Sequence, residues 1–236
     1  MFMGIFAASA KAESPKKEKL SVLIDFSEKN AIKKADFPTE KVLKLLKEIK
    51  IDTVISDEAQ CKEDDFDTPI LLGASVAEVN FSSAVKGKQS LVSVTIRSCG
   101  QPYWNVDSYL FLVSDEKTIS YLKEPCSDIV KLYVPDKNSG VQVGITSCGT
   151  SKQGYTETYS KIIGFENGAL KVISDFGLVS WDNCGVSVDK VGEERVSVIF
   201  LDSEGKKIVK NYKRKCSEKD KKKYKYFSSG QLKEGE

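Results

Sequence analysis

The chain contains no histidine among its 236 residues. That absence excludes Ser-His-Asp and Cys-His catalysis, histidine-ligated zinc and histidine-based pH switching. There is no C-x-x-C pair, so the cysteines spell neither a metal knuckle nor a thioredoxin-type redox centre. No run of eighteen apolar residues occurs, which leaves no candidate for a spanning helix. Only 6 prolines and 16 glycines are present, too few for a collagen-like or linker-like chain. Neither sign of charge dominates: 36 basic and 34 acidic residues leave a formal charge of +2. With 40% hydrophobic residues the composition is that of an ordinary globular protein, long enough to bury most of a core.

What is present points first to a compartment. Residues 1–12 are an apolar stretch followed by Ala10-Lys11-Ala12, the small-x-small form of a signal-peptidase site, although no basic residue precedes the stretch. The segment reads as a truncated signal peptide, followed by a charged, flexible N-terminus over residues 13–19. The six cysteines, Cys61, Cys99, Cys126, Cys148, Cys184 and Cys216, are even in number and widely spaced, as in a disulfide framework. Sequential pairing, 61 with 99, 126 with 148 and 184 with 216, closes the shortest loops among fifteen possibilities. These features together place the chain in the periplasm or among secreted proteins.

Hydrophobic periodicity sets the fold class. Val42, Leu43, Leu45, Leu46 and Ile49 form a helical stripe opened by Pro38 and Thr39, within a strand-helix-strand unit over residues 20–72. Residues 73–216 are nearly all strand and turn: Val92, Val94 and Ile96 alternate with polar residues, as do Val141, Val143 and Ile145. Asn167-Gly168 marks a two-residue hairpin turn. Cys-Gly recurs at positions 99, 148 and 184, and Phe111 to Ile119 matches Phe200 to Ile208 at Phe, Leu, Ser, acid, Lys and Ile. Units of about forty residues with four strands each predict repeated four-stranded antiparallel meanders, propeller-like, with a β-sandwich or barrel as the alternative. Residues 217–236 read as a basic C-terminal tail.

No catalytic set emerges. Ser-x-x-Lys recurs along the chain, twice in the repeated hairpin turn, and lacks the accompanying motifs of a serine-lysine enzyme. The carboxylates between Asp57 and Asp67 lack the spacing and glycine of a calcium loop. No cofactor and no metal site is expected. Both tryptophans lie in polar, aromatic loop segments after the β pattern, and Tyr103, Trp104, Tyr155 and Trp181 are the types that stack on a sugar face. Lys213, Arg214, Lys215, Lys221, Lys222 and Lys223 form an electrostatic footprint for a polyanion outside the cytoplasm, not for nucleic acid. The reading is an exported, non-enzymatic binding protein of the cell envelope or secretome that recognises a glycan or macromolecule through loops on a disulfide-stapled β scaffold. A histidine-free, carboxylate-dependent hydrolase and an inhibitor of a secreted enzyme are the alternatives.

Overall fold

The computed structural model describes residues 20–28, 31–55, 67–99, 106–152, 154–185, 192–221 and 224–233, except for the side chains of residues 152 and 219–221. Its one helix, α1 (Thr39–Glu48), buries Val42, Leu45 and Leu46. Glu40 in its first turn and Lys47 in its last oppose the helix dipole. The helix ends in a paired closure: Ile51 N–H donates to Leu46 C=O (3.0 Å) and Lys50 N–H to Lys47 C=O (3.0 Å). Lys50 stands in the left-handed region that glycine usually fills at such an end.

The strands form two antiparallel sheets. The smaller runs β2 (Ala35–Asp36), β3 (Pro69–Glu78), β4 (Gln89–Ser98), β5 (Asp107–Ser114) and β6 (Lys117–Pro125), in that order. The larger is the run β7 (Asp128–Tyr133), β8 (Val143–Lys152), β9 (Tyr155–Glu166), β10 (Ala169–Asp182), β11 (Glu193–Leu201), β12 (Lys207–Lys215) and β13 (Lys225–Ser229). An eighth strand, β1 (Ser21–Asp25), pairs with β11. The expected mainly β class and single helix are present, but the strands divide five and eight rather than into repeated units of four, and no closed barrel forms among the described residues.

The repeated sequence folds in two ways. In the β5–β6 hairpin, Ser114 pairs with Lys117, and the two-residue turn puts Asp115 and Glu116 at positive φ, as a type I′ turn requires. In the β11–β12 hairpin the strands end at the Leu201–Lys207 pair. There Asp202 Oδ1 accepts the N–H groups of Glu204 and Lys206, closing a longer loop. Asn167 and Gly168 turn β9 into β10 with both φ angles positive.

Alternation along the strands builds three cores. Val92, Val94, Tyr109 and Phe111 face α1. Their strand neighbours Leu91, Leu110 and Leu112 face the larger sheet and meet Ile129, Ile163 and Leu170. Ile162, next to Ile163 and on the opposite face, packs with Leu23, Ile24, Val143, Ile145 and Ile199 under β1. β10 bonds β11 only through Ser180–Asp182; bulges at three places bend it away, and β1 takes the vacated edge from Val198 to Leu201. From the far end of the curled sheet, Lys131 Nζ on β7 donates to the Leu23 carbonyl on β1.

Candidate functional site

Strand register gathers the expected contact residues at one end of the larger sheet. Tyr155 opens β9 opposite Lys152, and Thr156 pairs with Asp182 at the end of β10. Asp182 pairs with Glu194, Glu194 with Arg214, and Lys213 with Lys225. Tyr155, Trp181, Lys213, Arg214 and Lys215 therefore share one rim across four consecutive strands. Lys221 ends a 3₁₀ turn, Cys216–Lys221. Tyr103, Trp104, Lys222, Lys223 and Cys61 lie outside the described residues.

The rim is held covalently and by close backbone packing. Cys184 is bonded to Cys216 with Cα atoms 5.4 Å apart, which ties the end of β10 to the end of β12. Asp182 Oδ1 accepts the Cys184 N–H (2.7 Å) and Asn183 Oδ1 the Glu193 N–H (2.7 Å). A Cβ on Gly185 would stand 2.6 Å from the Gly154 carbonyl oxygen, whereas one on Gly149 would find nothing nearer than 4.0 Å. The β8–β9 turn and the turn after β10 are thus in backbone contact. Gly185→Ala is expected to cost about 1–3 kcal/mol by overpacking, and Gly149→Ala to be near neutral. Urea titration of the pair checks this; equal effects would refute the close approach.

The charges on this rim are largely met from within the sheet. Arg195, 8% exposed at its side chain, lies over the Trp181 ring (5.1 Å) and the Phe227 ring (5.8 Å). Lys213 Nζ covers Phe227 from 5.2 Å. Glu193 is shared between the two cations, accepting from Arg195 Nε (2.5 Å) and standing 3.6 Å from Lys213 Nζ. Beside them, Glu194 takes Arg214 Nε (2.7 Å) on one oxygen and the Tyr224 hydroxyl (2.7 Å) on the other. The Arg214 guanidinium stacks 4.5 Å over the Tyr224 ring. Burial, reinforced by the Glu194 bond, pushes the Tyr224 phenol well above its ordinary range, so it remains a donor to Glu194. Of the basic footprint, Arg214 is engaged internally, whereas Lys213, although near Glu193, and Lys215 are both exposed.

The chain matches no family model, no curated protein and no solved structure. Its site is accordingly read from chemistry alone. Asp182, Cys184 and Cys216 have ligand-type atoms within 4.8 Å of one another, but both sulfurs are spent in the disulfide, leaving a single carboxylate.

Next to the rim, on the face turned toward the smaller sheet, β9 presents Tyr155, Glu157, Tyr159 and Lys161 in alternation. Glu157 is 5% exposed, lies opposite Trp181 and accepts the Tyr159 hydroxyl (3.2 Å). Here the two sheets enclose a cavity of about 370 Å³ walled by Glu124, Cys126, Cys148, Tyr159, Lys161 and Asp175, among others. The Cys126–Cys148 bond, Cα atoms 5.1 Å apart, joins the two-residue linker between the sheets to β8. Cys99 is also disulfide-bonded; its partner lies outside the described residues. Glu157, Tyr159 and Lys161 were not singled out from sequence, although Tyr-x-Glu-x-Tyr-x-Lys over 155–161 carries the period-two signal of one strand face.

Two described disulfides fit a β protein that matures in an oxidising compartment; no described helix is long and apolar enough to cross a membrane.

Proposed function

We propose that the protein is an exported, non-enzymatic binding protein, periplasmic or secreted, which recognises a glycan at the rim where Tyr155 and Trp181 meet. Residues 1–12 serve as its export signal, and Cys61 is the partner of Cys99. The observation that carries the binding reading is the convergence of two turns, at Gly154 and Gly185, on a disulfide-locked strand end that bears both aromatics around Glu157. Flat rings beside carboxylate and amide groups stack on sugar faces and bond their hydroxyls, and a rigid β scaffold limits the ordering cost of binding. Tyr103 and Trp104 complete the contact set. Glu193 and Glu194 are held by Arg195, Lys213 and Arg214, and Glu157 by Tyr159, which favours recognition over acid–base chemistry. The same pairing of Lys213 and Arg214 favours a neutral or weakly charged glycan over a polyanion.

A glycan array probed with the purified protein tests this. Selective retention of one glycan class is expected, with Tyr155→Ala weakening it up to roughly tenfold, the worth of one stacked ring, at unchanged melting temperature. Retention of sulfated polymers only, or the same glycan affinity in the wild type and Tyr155→Ala, would overturn the reading.

A further inference from the structure

The cavity between the sheets has a chemistry distinct from the rim. Lys161 on β9 reaches across to the smaller sheet, its Nζ 2.5 Å from Glu124 Oε2, and the partners are 28% and 12% exposed. Register places Asp175 on β10 directly beside Lys161. Asp175 is exposed, accepts the Gly177 N–H (2.7 Å) and makes no ion pair among the described residues. The charged side chains walling the cavity are thus two carboxylates and one ammonium, a net of −1. The uncharged wall combines the Cys126–Cys148 sulfurs, Pro125, Val106 and the ring of Tyr159, whose hydroxyl bonds Glu157, with Ser127, Thr146 and Thr150. Its volume of about 370 Å³ lies within the range of small-molecule sites.

We propose that this cavity binds a small organic cation, an amine with a compact apolar or aromatic body. Its ammonium pairs with Asp175, and its body lies against Tyr159 and the disulfide. The sign follows from what each charge would have to displace. An anion at Lys161 would compete with Glu124 for the ammonium and enter a wall whose charged groups already sum to −1. A cation adds to Asp175 and displaces nothing, and the Tyr159 ring offers it the negative face of an aromatic. The Lys161–Glu124 pair fixes the depth of the site by bridging the two sheets beneath it. This site stands apart from the glycan reading, since it uses neither Trp181 nor Tyr155.

The probes are 2-phenylethylamine and 3-phenylpropionate, similar bodies with opposite charge, titrated into the full disulfide-bonded chain and followed by amide chemical shifts in two-dimensional NMR. The amine is expected to saturate, with shifts confined to Thr146, Cys148, Tyr159 and Asp175, while the carboxylate produces none. Asp175→Asn keeps a carbonyl oxygen for the Gly177 N–H, so the turn persists, and it should weaken the amine at least tenfold. Tyr155→Ala should leave amine binding unchanged whether or not it abolishes glycan retention. Equal binding of both probes, full affinity in Asp175→Asn, or shifts mapping away from the cavity would each overturn the proposal.

Discussion

Glu194→Ala is expected to destabilise the protein by about 3 kcal/mol, among the largest effects of any single polar replacement in the larger sheet. Arg214 and Glu194 are only 10% and 15% exposed at their side chains, and truncating one partner of such a pair strands the other charge away from water. The same substitution removes the acceptor of the Tyr224 hydroxyl, leaving a second polar group unmet. The instructive comparison is the double variant Glu194→Leu with Arg214→Met. Desolvating the pair costs nearly what its attraction returns, so an apolar pair of similar volume should recover the part of the loss due to the stranded charge, leaving about 1 kcal/mol for the unmet Tyr224 hydroxyl. Urea unfolding of the three proteins measures both numbers. A single variant that loses under 1 kcal/mol would mean that the pair is solvated.

The second large effect is expected from the joint replacement Cys184→Ser with Cys216→Ser. The bond closes a loop of sequence separation 32, and releasing a loop of that length returns conformational freedom to the unfolded chain worth about 3–4 kcal/mol. The loss should show as a fall in melting temperature of roughly 6–16 °C, since each kcal/mol moves a domain of this size by about 2–4 °C. The same variant should also weaken glycan retention, because the bond holds the Cys184–Gly185 turn against the β8–β9 turn. The comparison is Cys126→Ser with Cys148→Ser, separation 22, whose stability loss should be similar while glycan retention persists. Equal loss of retention in both double variants would show that stability, not the local brace, controls binding.

Local patterns made much of the fold legible. The stripe from Val42 to Ile49 announced α1, the alternation at Val92–Ile96 announced β4, which the structure covers on both faces, and Asn167-Gly168 announced its hairpin. The division into sheets was not legible, because it is decided by contacts distant in sequence. Phe111 and Phe200 begin nearly matching strings, yet one is fully buried beneath α1 and the other stands beside β1. The Cys-Gly repeat misleads in the same way: Gly185 is required by the approach of Gly154, while Gly149 meets no such neighbour.

At the rim, Tyr155 and Trp181 were chosen by residue type alone, and register brings them to the ends of the adjacent strands β9 and β10. Sequence showed Lys213 and Arg214 as unopposed cations because Glu193 and Glu194, their partners, lie across a hairpin some twenty residues earlier. Cross-strand charge pairing is invisible until register is known. Lys161 was overlooked for the same reason, since its partner Glu124 belongs to the other sheet.

The pairing of β1 with β11 also bears on when the protein can become itself. Ser21 reaches Leu201 across 180 positions of chain, so β1 has no edge to join until β11 exists. Contacts of such long range form late and slowly. β1 and the core that Leu23 and Ile24 build beneath it therefore close only after β11 has arrived on the same side of any membrane the chain must pass.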